Sequence, residues 1–175
     1  MMIPQTPTPA AWRAPLAALL LLVGGCAPPT ETALPRPDEL AAYYADSSIE
    51  TVEMRGNVAL VTVEQDATHL RRGGRLWAKM GPYIHIFSPA TEELLRDFPA
   101  VAGVRVRTVT ISGTEIASVL LERTTLNDIT WKGARTRVAQ ALTHRGAEQV
   151  RSIEQLVEYG ERRTTYEYNP DFTRR

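Results

Sequence analysis

The sequence predicts an α+β fold in which an antiparallel sheet, built from β-hairpins, is covered on one face by helices. Two β-branched stretches, 49–65 and 101–123, each alternate apolar and polar residues on both sides of a short turn. Two later stretches, 134–144 and 147–159, place apolar residues at helical spacing. Hairpins pair antiparallel, and an amphipathic helix must bury its apolar face against such a sheet. Regular β-α-β alternation, which would predict a parallel sheet, is missing.

The first 25 residues have the pattern of an export signal. Arg13 is the only charged side chain among residues 1–15, and an apolar run follows at 16–23. The run is too short to span a bilayer, which needs about 20 apolar residues. Its length and position suit the apolar region of a signal peptide. Gly24 and Gly25, two small residues, then precede Cys26, the only cysteine in the chain.

Residues 16–26 resemble the signal peptide and lipobox of bacterial lipoproteins. The resemblance implies cleavage between Gly25 and Cys26, with acyl chains such as palmitate on the Cys26 residue. Val23 and Gly24 depart from the commonest lipobox residues, which are leucine and then alanine or serine. Because each buried methylene contributes about 0.8 kcal/mol, two or three acyl chains would anchor the protein stably. The alternatives are a plain secretory signal with an incidental cysteine and a single uncleaved anchor.

The same resemblance predicts where the protein is held. Ala27 follows the cysteine, whereas aspartate at this position commonly retains Gram-negative lipoproteins in the inner membrane. In a Gram-negative host, Ala27 therefore implies the outer membrane, with the protein facing the periplasm. The lipidated cysteine and a linker with four prolines occupy 26–37, and such a linker extends by roughly 3 Å per residue. Residues 38–175 are long enough for a single α+β domain with its own core.

Composition limits the partners. The chain has 20 basic and 20 acidic residues, so no strong field directs it to nucleic acid. With Cys26 acylated no thiol remains, and the fold has no disulfide available. We therefore expect contact with the membrane through the anchor, and with envelope proteins, cell-wall polymer or lipid headgroups, but not with nucleic acid.

The first half of the domain is predicted from its turn and cap residues. Gly56 and Asn57 form a turn signal between two β-branched segments. The predicted elements are, in order, a helix at 38–45, a hairpin of strands 49–54 and 58–65, a polar loop at 66–75, an ambiguous segment at 76–80, and a short strand at 83–87 after Gly81 and Pro82.

The second half opens with a clear helix start. Ser88 can cap a helix and Pro89 suits its first turn, while Pro99 ends it. The elements predicted after it are a hairpin of strands 101–111 and 115–123, one possible helical turn within 124–131, helices at 134–144 and 147–159, and an edge strand or tail at 164–168. Trp131 is expected to pack the last helices on the sheet.

No recognisable catalytic or metal-binding set appears. The three histidines, His69, His85 and His144, are far apart in sequence, so neither a metal nor a cofactor is predicted. Ser88 reads as a helix cap, and Ser112 lies in a turn without a nucleophile elbow around it. A concave cluster of His69, His85 and Asp66 is the one arrangement that would favour an enzyme. We therefore expect a non-enzymatic protein.

Basic residues provide the remaining candidate site. Arginine forks bind phosphate and carboxylate groups bidentately. The candidate anion-binding residues are Arg71, Arg72, Arg75 and Lys79. The competing interpretation is a solvated loop.

A second basic strip is predicted on the sheet. Arg105 and Arg107 alternate with apolar residues and so share one strand face. They indicate either simply the exposed side of the sheet or a further basic surface.

The sequence thus predicts an acyl-anchored envelope lipoprotein with a periplasm-facing interaction domain. The alternative is a small-ligand or lipid-binding module, with an apolar pocket between Val104 and Val106 on one side and Leu94 and Phe98 on the other. An enzyme with an unrecognised site is the third hypothesis.

Overall fold

A computed structural model describes residues 33–45 and 48–174 and shows the predicted α+β class. Residues 1–25, Cys26 and most of the linker lie outside the described residues, as do the side chains of His69 and Arg72. The helices are α1 (Pro37–Tyr43), α2 (Ala67–Ile86), α3 (Pro89–Asp97), α4 (Asp128–Thr143), α5 (Gly146–Glu161) and α6 (Pro170–Thr173), with a 3-10 turn at Arg123–Thr125. The strands are β1 (Ile49–Arg55), β2 (Val58–Glu64), β3 (Gly103–Val109), β4 (Glu115–Glu122) and β5 (Thr165–Tyr168).

The five strands lie in the sheet in their chain order, β1-β2-β3-β4-β5. Three of the four pairings are antiparallel, including both predicted hairpins. The pairing of β2 with β3 is parallel, so that Val58 lies beside Gly103. The two hairpins are therefore joined side by side by a crossover through α2 and α3, which parallel neighbours require. The hairpin signals did not predict this central parallel pair.

The predictions of a loop at 66–75 and a strand at 83–87 are wrong. Residues 67–75 and 83–86 of these segments belong to α2, and Asp66 caps its start by accepting a hydrogen bond from the Thr68 amide at 2.6 Å. The alternation of Ile84, His85 and Ile86 imitates a strand. In the structure the buried residues of this segment are Tyr83, Ile86 and Phe87, which follow helical spacing instead.

Two residues that locally disfavour a helix lie within α2. Gly74 has φ 52° and ψ −127°, which kinks the element between two helical parts. Pro82 lies inside the second part, where it removes one backbone donor. Met80 and Tyr83 on either side of Pro82 are fully buried. Their packing outweighs the local cost of the proline, which the sequence pattern alone does not show.

The core lies between the helices and one face of the sheet. The residues from the three central strands in this core are Ala59, Val61, Val63, Val104, Val106, Val119 and Leu121. Trp131 belongs to the same cluster, as predicted. Helix α2 lies over β3 and β4, and α5 packs against α2. Gly160 permits this approach, because a Cβ atom there would lie 2.2 Å from the Tyr83 ring.

The remaining helix and strand predictions are confirmed with shifted ends. Ser88 Oγ accepts a hydrogen bond from the Thr91 amide at 3.3 Å, and Pro89 opens α3. Helix α4 begins at Asp128, earlier than predicted, because Asn127 Oδ1 accepts from the Thr130 amide at 3.0 Å. Helix α5 continues through Gly160 to Glu161. Segment 165–168 is a strand, β5, paired with β4.

Candidate functional site

The predicted basic residues do not share one environment. Arg71 and Arg75 are exposed on α2, on either side of the kink at Gly74. Arg71 also lines a groove of about 450 Å³ together with Glu64 and Asp66. Because the backbone here is helical, the basic stretch is not the loop that the sequence predicted.

Lys79 is engaged in a separate network. Its ammonium lies 3.5 Å from Glu161 Oε1 and 4.9 Å from the centre of the Tyr168 ring. The Tyr168 hydroxyl is 3.0 Å from the Tyr83 hydroxyl. Burial raises the pKa of Tyr83 to about 12 and also raises that of Tyr168. The network therefore holds β5 against α2 and α5. Because both pKa values are raised, both tyrosine hydroxyls are neutral at ordinary pH.

The described members of the cluster that would have favoured an enzyme lie at the two ends of α2. Asp66 caps the start of α2, whereas His85 lies near the other end of this 20-residue element. His144 is elsewhere, with Nδ1 2.8 Å from Ser152 Oγ and 3.7 Å from a Glu148 oxygen. Among the described residues, no group of three or more His, Cys, Asp or Glu side chains could hold a metal ion.

The two serines have structural partners. Ser88 caps α3, and its hydroxyl also contacts Thr91 Oγ1 at 3.3 Å. Ser112 Oγ lies 2.8 Å from the Thr110 hydroxyl and 3.3 Å from the Thr114 hydroxyl, all within the β3–β4 turn. The partners of both serines in these hydrogen bonds are threonines.

The residues proposed to line an apolar pocket lie in or against the hydrophobic core. Val104, Val106 and Leu94 are completely buried and belong to one hydrophobic cluster, with Phe98 against its edge. The grooves described for the structure lie at the surface instead. One, of about 340 Å³, lies between α1 and the start of α3 and is lined by Tyr44, His85 and Ser88 among others.

The sheet face opposite the core carries Arg105 and Arg107. Arg105 Nη1 donates to Ser118 Oγ on β4 at 3.2 Å, and Arg107 Nη2 donates weakly to Thr62 Oγ1 on β2 at 3.5 Å. Leu60 beside Arg105 is only 5% exposed, although it is not part of the hydrophobic cluster between the helices and the sheet.

A third arginine cluster was missed by the sequence analysis. The guanidinium carbons of Arg137 and Arg163 lie 4.5 Å and 3.8 Å from the centre of the Tyr159 ring. The spacing of Tyr159 and Arg163, four residues apart around the end of α5, is a signal that could have suggested their contact. Arg137 comes from α4, and only the packing of α4 on α5 brings it to the same ring.

No family model, curated protein or solved structure matches the chain in comparisons with known proteins. Of the helices that the structure describes, none has the length and apolar character needed to cross a membrane.

Proposed function

We propose that the protein is an acyl-anchored lipoprotein of the bacterial envelope whose domain works by binding rather than by catalysis. One observation carries the proposal: an apolar run at 16–23 leads through Gly24 and Gly25 to Cys26, the only cysteine in the chain. A thiol at the end of such a run is the acceptor that lipoprotein maturation requires. The proline-rich linker then separates the anchor from the folded domain.

The geometry of the domain supports a binding role. Its main hydrophobic cluster lies between the helices and one side of the sheet. The opposite side of the sheet presents Arg105 and Arg107 among hydroxyl and carboxylate groups. Both guanidiniums retain N–H groups beyond the bonds described, and guanidinium forks suit carboxylates of proteins or cell-wall polymer.

Intact-mass analysis of the membrane-extracted protein tests the anchor. The expected polypeptide begins at Cys26 and carries the added mass of two or three acyl chains. Cys26→Ser should abolish both the cleavage and the added mass. Gly24→Ala, which introduces the commoner lipobox residue, is the matched control and should mature normally. A mature chain that begins elsewhere, or carries no acyl mass, contradicts the proposal.

The binding role needs its own test. Crosslinking in intact cells, followed by quantitative recovery of the full-length lipoprotein, should enrich a particular envelope protein or cell-wall fragment. The paired variant Arg105→Gln/Arg107→Gln should lower that enrichment while the protein remains anchored. If no envelope component is enriched over an unrelated lipoprotein, the binding role is wrong even where the anchor is correct.

A further inference from the structure

We propose that the outer edge of β1 pairs with the same strand of a second copy of this chain, so that two sheets join into one. β1 is the last strand at one edge of the sheet, and of the described strands only β2 pairs with it. An edge strand presents backbone donors and acceptors that another strand can use. This dimer rests on neither the lipid anchor nor the binding of carboxylates by Arg105 and Arg107.

The backbone of β1 directs alternate residues towards the open edge. Arg55 and Val58 flank a two-residue turn and pair with each other, and a hydrogen bond between the flanking residues closes a turn of this length. Because the direction of the backbone groups alternates along an antiparallel strand, Arg55 bonds towards β2, whereas Met54 and Val52 point away from it. A further strand would therefore meet the N–H and C=O groups of Met54 and Val52.

The exposed charges of β1 are complementary to those of a second copy. Glu53 and Arg55 are both exposed, with Arg55 Nη2 2.8 Å from Glu53 Oε1. A two-fold axis through an antiparallel pair sets one residue of the strand opposite itself. When that residue is Met54, Glu53 lies opposite Arg55 of the second copy, once on each side of the axis. Opposite charges at directly facing positions stabilise a strand pair.

Other two-fold registers lack this match. With Glu53 or Arg55 on the axis, like charges face each other, which destabilises the pair. With Val52 on the axis, both charges face neutral residues, and the pairing runs into the register shift that follows Ile49. The charges therefore select the register in which Met54 lies on the axis.

The strand at the other edge of the sheet is less suited to such pairing. β5 has four residues, Thr165–Tyr168, against seven in β1, and its one charged residue is Glu167. A second β5 therefore brings no cation to face this carboxylate, and β5 has none to face Glu53 either. Pairing of β1 with β5 of the next copy would also build an open chain of molecules, whereas pairing of β1 with itself closes at two copies.

Cysteine crosslinking tests the register. Full-length protein in a nonionic detergent carries Met54→Cys or Val52→Cys, both at half-buried positions of β1, and is treated with a mild oxidant. In the proposed register the two Cα atoms at position 54 lie about 5.5 Å apart, which suits a disulfide. Those at position 52 lie about 14 Å apart, which is too far. We expect a disulfide-linked dimer for Met54→Cys alone, and none for the unsubstituted protein, whose only cysteine is Cys26.

Charge reversal tests the same pairing without a disulfide. Sedimentation equilibrium of the unsubstituted protein should show monomers and dimers in equilibrium. Glu53→Arg and Arg55→Glu should each weaken dimerisation by about tenfold, because each sets like charges opposite one another at two places. The double variant Glu53→Arg/Arg55→Glu should restore it. Glu154→Arg, at an exposed position on α5, is the matched control and should leave dimerisation unchanged.

Several results would overturn the proposal. An unsubstituted protein that is monomeric at every concentration, or that forms assemblies larger than a dimer, contradicts it. So does a double charge variant that dimerises as weakly as the single variants, or equal weakening by Glu154→Arg. A disulfide in Val52→Cys, or none in folded Met54→Cys, shows that the register is wrong.

Discussion

The guanidinium of Arg123 donates a hydrogen bond to the carbonyl oxygen of Phe98, the residue immediately after α3. The same side chain also donates to the carbonyls of Leu95 and, at 2.7 Å, Val101. Carbonyls at a helix end have no partner within the helix, and a cation stabilises that end of the dipole. Arg123 thus fastens the end of α3 and the following turn to the end of β4.

We expect Arg123→Met to lower the free energy of unfolding by about 2–4 kcal/mol, because charge-assisted hydrogen bonds contribute about 1.5–3 kcal/mol each and are not additive. Urea unfolding followed by circular dichroism measures the change. Arg96→Met is the control, since Arg96 is exposed on α3 and pairs only with its neighbour Asp97 in the described contacts; it should cost less than about 0.5 kcal/mol. Similar losses for the two variants would show that Arg123 does not hold the end of α3.

Gly160→Ala should destabilise the protein by about 1–3 kcal/mol, the usual cost of overpacking a core. The new Cβ atom would lie 2.2 Å from the Tyr83 ring, so α5 would have to move away from α2. Tyr83→Leu removes the ring. In a double-mutant cycle, Gly160→Ala should cost clearly less in the Tyr83→Leu background than in the unsubstituted protein. An unchanged cost in that background would show that the destabilisation does not come from the contact with the Tyr83 ring.

The contrast between α2 and α3 shows what local sequence can predict. Ser88 and Pro89 start α3 through short-range hydrogen bonding and a fixed proline φ, so the sequence alone was sufficient to predict where α3 begins. In α2, Gly74 and Pro82 disfavour a helix locally, and long-range packing of Met80 and Tyr83 decides the outcome. The same limit applies to the Arg137 and Arg163 cluster, whose members meet only after α4 has packed on α5.

The stability of the protein should fall as the pH rises from about 10 to 12. Burial raises the pKa of Tyr83 from its ordinary 10.0 to about 12. Between these values the unfolded chain has lost the phenolic proton while the folded chain retains it, so the stabilising contribution present below pH 10 is progressively lost. Urea midpoints measured across this interval should depend less on pH in Tyr83→Phe than in the unsubstituted protein. Tyr166→Phe is the control, because this ring is 42% exposed; equal slopes for all three proteins would refute the assignment to Tyr83.

Asn127→Ala should lower the free energy of unfolding by about 1 kcal/mol, the typical cost of losing a helix cap. Asn127 Oδ1 accepts a hydrogen bond from the Thr130 amide at 3.0 Å, while the Thr130 hydroxyl accepts from the Asn127 amide at 2.8 Å. This reciprocal pair starts α4 before Trp131, which is buried in the core, and so fixes where the helix meets the sheet.

Asn127→Asp retains the acceptor and adds negative charge at the positive end of the helix dipole, so its unfolding free energy should stay within about 0.5 kcal/mol of the unsubstituted protein. Chemical unfolding of the three proteins distinguishes the cap from a general effect of substitution, because a loss as large in Asn127→Asp as in Asn127→Ala would mean that the hydrogen bond to Thr130 does not stabilise α4.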